Sequence, residues 1–159
     1  MKKILFTLFI LINYLAVFSQ PSGKASQIYN LINEARTNPQ LFLNNYKTKI
    51  NEYEPKFIKL LEKSLPIKKV IWDENLAINC EQRVYGNLNP EYEGINKICG
   101  TATGRGSGYY NKDALYFLCN SYTHIMNEDD LYFGFYIDSN GHSIMWGNSC
   151  ERKNCGLKN

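Results

Sequence analysis

Histidine is scarce in this 159-residue chain, where His124 and His142 are the only two. Side-chain chemistry that needs a group titrating near neutral pH is therefore confined to one stretch, Ser121 to Gly147, which holds both. No CxxC and no paired Cys/His spacing occurs, so the composition does not describe a zinc module. No GxSxG surrounds any serine, so the nucleophile elbow of a serine hydrolase is missing. The glycine-rich GTATGRGSG lacks a Gly-Lys-Ser/Thr ending and follows no apolar strand, so it is not a phosphate loop. The acidic run Glu128, Asp129, Asp130 has neither alternating carboxylates nor a loop glycine nor a downstream glutamate, so it reads as a solvated turn and not as a calcium loop. Repeats and low-complexity blocks are absent.

Excess charge is missing as well. Removing Lys2 and Lys3 with the first twenty residues takes Lys plus Arg from 18 to 16 against 15 acidic residues, a net charge near +1. That balance gives no reason to expect nucleic acid or an anionic membrane as partner. Long apolar runs are limited to the start: two lysines, then an apolar stretch from Ile4 to Phe18 interrupted by Thr7, Asn13 and Tyr14. This reads as a secretory signal peptide over residues 1–20, with Val17 and Ser19 suited to cleavage just before Gln20 or Pro21. Residues 21–159 are then expected to be one exported domain with a short cysteine-bearing tail, a monomer with no membrane span.

Five cysteines lie in the exported part, and an oxidising compartment makes disulfides the first expectation. Cys150 and Cys155 enclose a small loop, and Cys80 with Cys99 would tie a helix to the segment after it. Cys119, on an apolar helical face, is left over as a buried or a reactive thiol.

Along the chain, Ile28, Leu31, Ile32 and Ala35 predict an amphipathic helix from Ser26 to Thr37. Asn38-Pro39 predicts a cap and restart, leading into a helix with Leu41, Phe42, Asn45 and Tyr46 inward. A third helix is predicted over Glu54 to Leu65, ended by Pro66. Lys68 to Trp72 reads as an extended linker, and Asp73 as the cap of a helix with Leu76, Ala77, Cys80 and Val84 inward and Gly86 as its stop. Asn87 to Gly108, with five glycines and one proline, reads as a loop forming a mobile rim. Asn111 or Asp113 opens a helix running through Leu115, Leu118, Cys119, Tyr122 and Ile125. A hairpin turning at Ser139-Asn140-Gly141 closes the domain, with Leu131, Phe133, Phe135, Ile137, Ile144 and Trp146 on its core face. The class is α+β. Tyr109, Tyr110, Tyr116, Tyr122, Tyr132 and Tyr136 could furnish an amphipathic wall for an apolar or glycan ligand.

LINEARTNPQLF, then IWDENLA at a helix start, then YTHIMN, YFGFYID and SIMWG, in that order, resemble the CAP superfamily, the SCP-like extracellular domain, in its bacterial form. The resemblance spans roughly Ser26 to Gly147. It implies an α/β/α sandwich with a small antiparallel sheet between helical layers, and binding of lipids or of extracellular protein targets. It also implies a cleft with two histidines and two acids, and here the chain departs from the family. Ser121 stands where the second histidine belongs, His124 comes three residues and about 300° later, and the counterpart of the first histidine is missing. Glu91 and Glu93 are the acids that could approach the cleft.

The resulting expectation is an exported binding domain with a degenerate cleft near His124, Ser121, Tyr122, Glu91 and Glu93, no catalytic residue, no metal and no cofactor. Its partner would be a small apolar ligand or an extracellular protein. The alternative is a metal-dependent or hydrolytic enzyme built on His124 with carboxylates that do not align. Cys119 and His124, about 500° apart on a helix, do not form a nucleophile and base. At least one disulfide is expected in the exported protein, so reduction should lower its melting temperature; mass spectrometry finding five free thiols would refute this.

Overall fold

The computed structural model describes Pro21 and residues 23–86, 98–106 and 109–149. The signal-peptide reading, Glu91, Glu93 and the Cys150–Cys155 pair lie outside the described residues.

Helix α1 (Gly23–Thr37) starts three residues earlier than its periodicity indicates and buries Ile28, Ile32 and Ala35. Asn38 ends it and caps α2 (Pro39–Tyr53), accepting a hydrogen bond from the Leu41 N–H. Inward on α2 are Pro39, Phe42, Leu43 and Ile50, with Tyr46 partly buried, whereas Leu41 is 49% exposed and faces out. Glu54 serves two helices: its N–H closes α2 on the Ile50 carbonyl, and its carboxylate receives the Lys56 N–H of α3 (Pro55–Lys63). Asp73 caps α4 (Glu74–Val84) through the Leu76 N–H at 2.8 Å. Gly86, at φ +79°, turns the chain away in the left-handed region that favours glycine. Asp113 caps α5 (Ala114–Asn120), which breaks at Ser121 and resumes as the single turn α6 (Tyr122–Ile125).

Among the described residues the strands are β1 (Ile71–Trp72), β2 (Ile98–Gly106), β3 (Tyr132–Asp138) and β4 (Gly141–Ser149), ordered β1-β3-β4-β2. The hairpin forms where expected, with Asp138 paired to Gly141 and its Oδ1 receiving the N–H groups of Asn140 and Gly141. Two expectations are corrected. The sheet is mixed, because β1 runs parallel to β3 over the pairs Ile71–Tyr132 and Trp72–Phe133. The supposed loop contains β2, which pairs antiparallel with β4 from Ile98–Ser149 to Gly106–His142 with an irregularity between Ala102 and Gly104. A two-residue strand carries no periodicity, and glycine-rich β2 has low strand propensity; long-range ladder bonds define both.

The class is α+β, with helices on both faces of the sheet. Phe133, Phe135, Ile144 and Trp146 face α1, α2, α3 and α5 in the main core, whereas Met145 meets Leu76 and Cys80 of α4 on the other side. Each fully buried large apolar side chain here is worth about 1.5–3 kcal/mol. Strand β3 and α4 approach most closely at Gly134, where an added Cβ would lie 2.5 Å from the Ala77 nitrogen and from the Leu76 carbonyl carbon. Backbone cannot swing aside as a side chain can, so Gly134→Ala should cost at least about 2 kcal/mol in urea unfolding. Gly86→Ala, strained in φ but facing open space, should cost about 1 kcal/mol.

Candidate functional site

The chain's one expected reactive group, His124, sits at the end of α6 with its ring stacked on Trp146, centroids 5.8 Å apart and planes at 13°. Its Nδ1 lies 2.8 Å from Asp130 Oδ2, and the same oxygen receives Asn127 Nδ2 at 2.9 Å. The carboxylate fixes the ring's orientation and occupies one nitrogen, leaving Nε2 as the nitrogen that a ligand or proton could use. The histidine side chain is 28% exposed and the carboxylate 9%.

Asp130 is the residue the sequence reading missed. It belongs to the run taken as a solvated turn, yet it is buried and bonded while Glu128 and Asp129 are exposed. The available signal was its place directly before the apolar strand, three residues after an asparagine that can donate to it.

Arg36 is the second omission. It falls on the buried face of α1, four residues after Ile32, and is fully buried. Its Nε donates to the Lys68 carbonyl at 2.6 Å, and its Nη1 to the carbonyls of Ile125 (2.7 Å) and Asn127 (3.0 Å). Burial pushes the guanidinium pKa down, and the nearby charges of Asp130 and Glu128 counter it. Arg36 therefore holds the stretch between His124 and its acid through the carbonyls of Ile125 and Asn127.

The other expected site residues do not join this pair. Ser121 is buried and its carbonyl accepts the His124 N–H at 2.9 Å, a backbone bond within the turn. Tyr122 packs against Phe57 with centroids 6.1 Å apart. Among the described residues, no three His, Cys, Asp or Glu side chains gather to hold a metal ion. The Cys80–Cys99 pairing is corrected: Cys80 is a free thiol buried between α4 and β3, 3.5 Å from the Gly134 carbonyl oxygen. Burial pushes its pKa up to about 12, and does the same for the free thiol of Cys119, so neither is a thiolate near neutral pH. His142 is buried on the sheet between Phe117 (4.8 Å) and Tyr109 (5.6 Å).

A cavity of about 670 Å³ lies away from His124, between the start of α1, the outer side of α4 and the edge of β3. Trp72, Ala77, Ile78, Tyr110, Phe135 and Ile137 give it apolar and aromatic walls. Of these walls, Ile78 is 43% exposed and Tyr110 56%. The six tyrosines do not form one wall. Tyr110 and Tyr136 reach this cavity, Tyr109 stacks on Tyr116, Tyr132 packs against the Leu76 cluster, and Tyr122 belongs to the helical core.

Glu74 and Glu81 line the cavity on the α4 side. The Trp72 indole N–H donates to Glu74 Oε2 at 2.9 Å. Opposite, the Lys24 ammonium donates to the Tyr110 carbonyl and, at 2.8 Å, to the Lys112 carbonyl, and it lies 5.2 Å from the Tyr110 ring centroid. Among the described residues, no helix is long and apolar enough to cross a membrane.

Compared with protein-family models, curated proteins and solved structures, the chain matches none. Arg36→Met, which leaves three carbonyls without their donor, should lower stability by about 3 kcal/mol in chemical denaturation. Thr37→Ala, one residue on and exposed, should change it by under about 0.5 kcal/mol.

Proposed function

We propose that the chain is an exported CAP-like domain that works by binding, and that its binding site is the groove walled by Trp72, Ile78, Tyr110 and Ile137. The observation that carries this reading is the groove itself: about 670 Å³, lined by apolar and aromatic side chains together with Lys24, Glu74, Glu81 and Asn111. The order of the CAP-like segments along the chain supports the family assignment, as do helices on both faces of a sheet that ends in a tryptophan-bearing hairpin. The family's α/β/α sandwich is the finer fold consistent with that layering. The binding site in this proposal is not the cleft expected around His124, because Ser121 and Tyr122 are committed to the turn and the core.

A second reading is favoured by one observation, the His124–Asp130 pair. An imidazole oriented by a carboxylate is half of the arrangement used by hydrolases and by metal sites. As a base it would need a nucleophile or a bound water at Nε2, and as a metal ligand it would need about two further protein ligands.

Metal analysis and dye binding separate the two readings. The purified protein should carry no stoichiometric zinc and should enhance the fluorescence of the uncharged probe N-phenyl-1-naphthylamine. That signal should fall at least tenfold in Ile78→Asp and persist in His124→Ala. One equivalent of zinc, lost in His124→Ala, would overturn the binding reading in favour of the metal-dependent one.

A further inference from the structure

The groove has one wall that its side chains do not describe, the open edge of β3. Strand β1 covers that edge for only two residues, because Asp73 donates its N–H to the Phe133 carbonyl at 3.0 Å and in the same residue caps α4. The N–H and C=O of one strand residue leave on the same side, and alternate residues share that side. Phe133 spends its carbonyl on the β1 side, so the backbone groups of Phe135 and Ile137 face the same way, into the groove. Among the described residues, no strand continues β1 alongside them. Among the described residues no backbone hydrogen bond reaches these groups from that side, and an open strand edge is a template for a further strand.

The charges say what kind of occupant. Glu74 and Glu81 stand two turns apart on the groove side of α4, with exposed Ile78 between them. Lys24, the only cationic side chain lining the groove among the described residues, has its ammonium on two backbone carbonyls. The rim is therefore acidic and the centre apolar. A neutral lipid or other compact apolar ligand would use the walls of Trp72 and Ile78 but would leave the β3 edge and the Glu81 carboxylate unused.

We infer that the groove takes an extended peptide segment of a basic partner, added to the open edge of β3 as a further strand, with apolar side chains toward Trp72 on one face of the sheet and lysine or arginine toward Glu74 and Glu81 of α4 on the other. The edge from Gly134 to Asp138 accommodates about five residues of such a strand at roughly 3.3 Å each. Main-chain bonds would give affinity, and the alternating side chains specificity, as in other strand additions. This rests on the reading of the groove as the binding site.

The test uses the peptide acetyl-Lys-Val-Lys-Val-Lys-amide, its Glu-Val-Glu-Val-Glu counterpart, and a version of the first that is N-methylated at both valines. Binding is measured by displacement of N-phenyl-1-naphthylamine and by amide hydrogen exchange read by NMR. The lysine peptide should displace the probe and slow exchange at Phe135 and Ile137 by at least tenfold. The glutamate and N-methylated peptides should bind at least tenfold more weakly, and Glu81→Lys, at an exposed position, should narrow or invert the charge preference. If the probe binds but no peptide displaces it, the groove is a small-molecule site; the binding reading then stands and this inference falls. If neither binds, both fall. Equal affinity for the lysine and N-methylated peptides would also overturn the inference. So would slow exchange at Phe135 and Ile137 without peptide, whether it depends on protein concentration, as for edge-to-edge pairing of two copies, or not, as for a segment of the chain itself.

Discussion

A single buried guanidinium organises the region around the histidine. Arg36 reaches from the last turn of α1 to the carbonyl of Lys68, just before β1, and to those of Ile125 and Asn127, between α6 and β3. Its own carbonyl receives the Ile67 N–H, and three residues earlier Asn33 accepts the Val70 N–H. The end of α1 thus holds two remote segments by hydrogen bonds to their backbones. Arginine suits this role because its planar fork serves several carbonyls while its aliphatic stem packs in the core. Those bonds and the carboxylates of Asp130 and Glu128 nearby counter part of the cost of burying its charge, while Nη2 has no hydrogen-bond partner among the described residues.

Both candidate sites follow from that anchoring. Holding Ile125 and Asn127 in place sets the turn in which Asp130 folds back onto His124, so the dyad is a consequence of the turn's geometry. Holding Lys68 delivers the chain to β3 in parallel register, and Asp73 then converts strand to helix within one residue. The same aspartate that shortens β1 therefore opens the groove, because α4 departs across the sheet face and leaves the rest of the β3 edge uncovered among the described residues. Gly134 lets α4 lie down so closely that its outer side becomes the groove's wall.

Much of the scaffold was legible in the chain. Asn38, Asp73 and Asp113 act as caps where their positions before apolar stripes predicted, and the Asp138–Gly141 turn closes the hairpin whose alternation is plain to read. Those features depend on neighbours within a few residues. Leu41 faces out because the helix presents Pro39, Phe42, Leu43 and Ile50 to the core, a choice of face that an amphipathic pattern with several apolar residues leaves open. Cys80 lay on the predicted buried stripe, but the pairing proposed for it did not follow, since burial says nothing of which element comes opposite.

The amino-acid sequence alone determined which polar residues cap the helices, which strands form the hairpin, and that one stretch holds every histidine, because capping, periodicity and turn chemistry are local. Only the tertiary structure decided that a glycine-rich segment is a strand and that two residues after a lysine pair form the parallel partner of β3. It alone separated Asp130 from the acids beside it and showed that the groove is lined without His124. Each of these depends on contacts between residues dozens of positions apart, where the energy of a ladder bond, a buried ion or an uncovered edge resides in the pair and not in either residue.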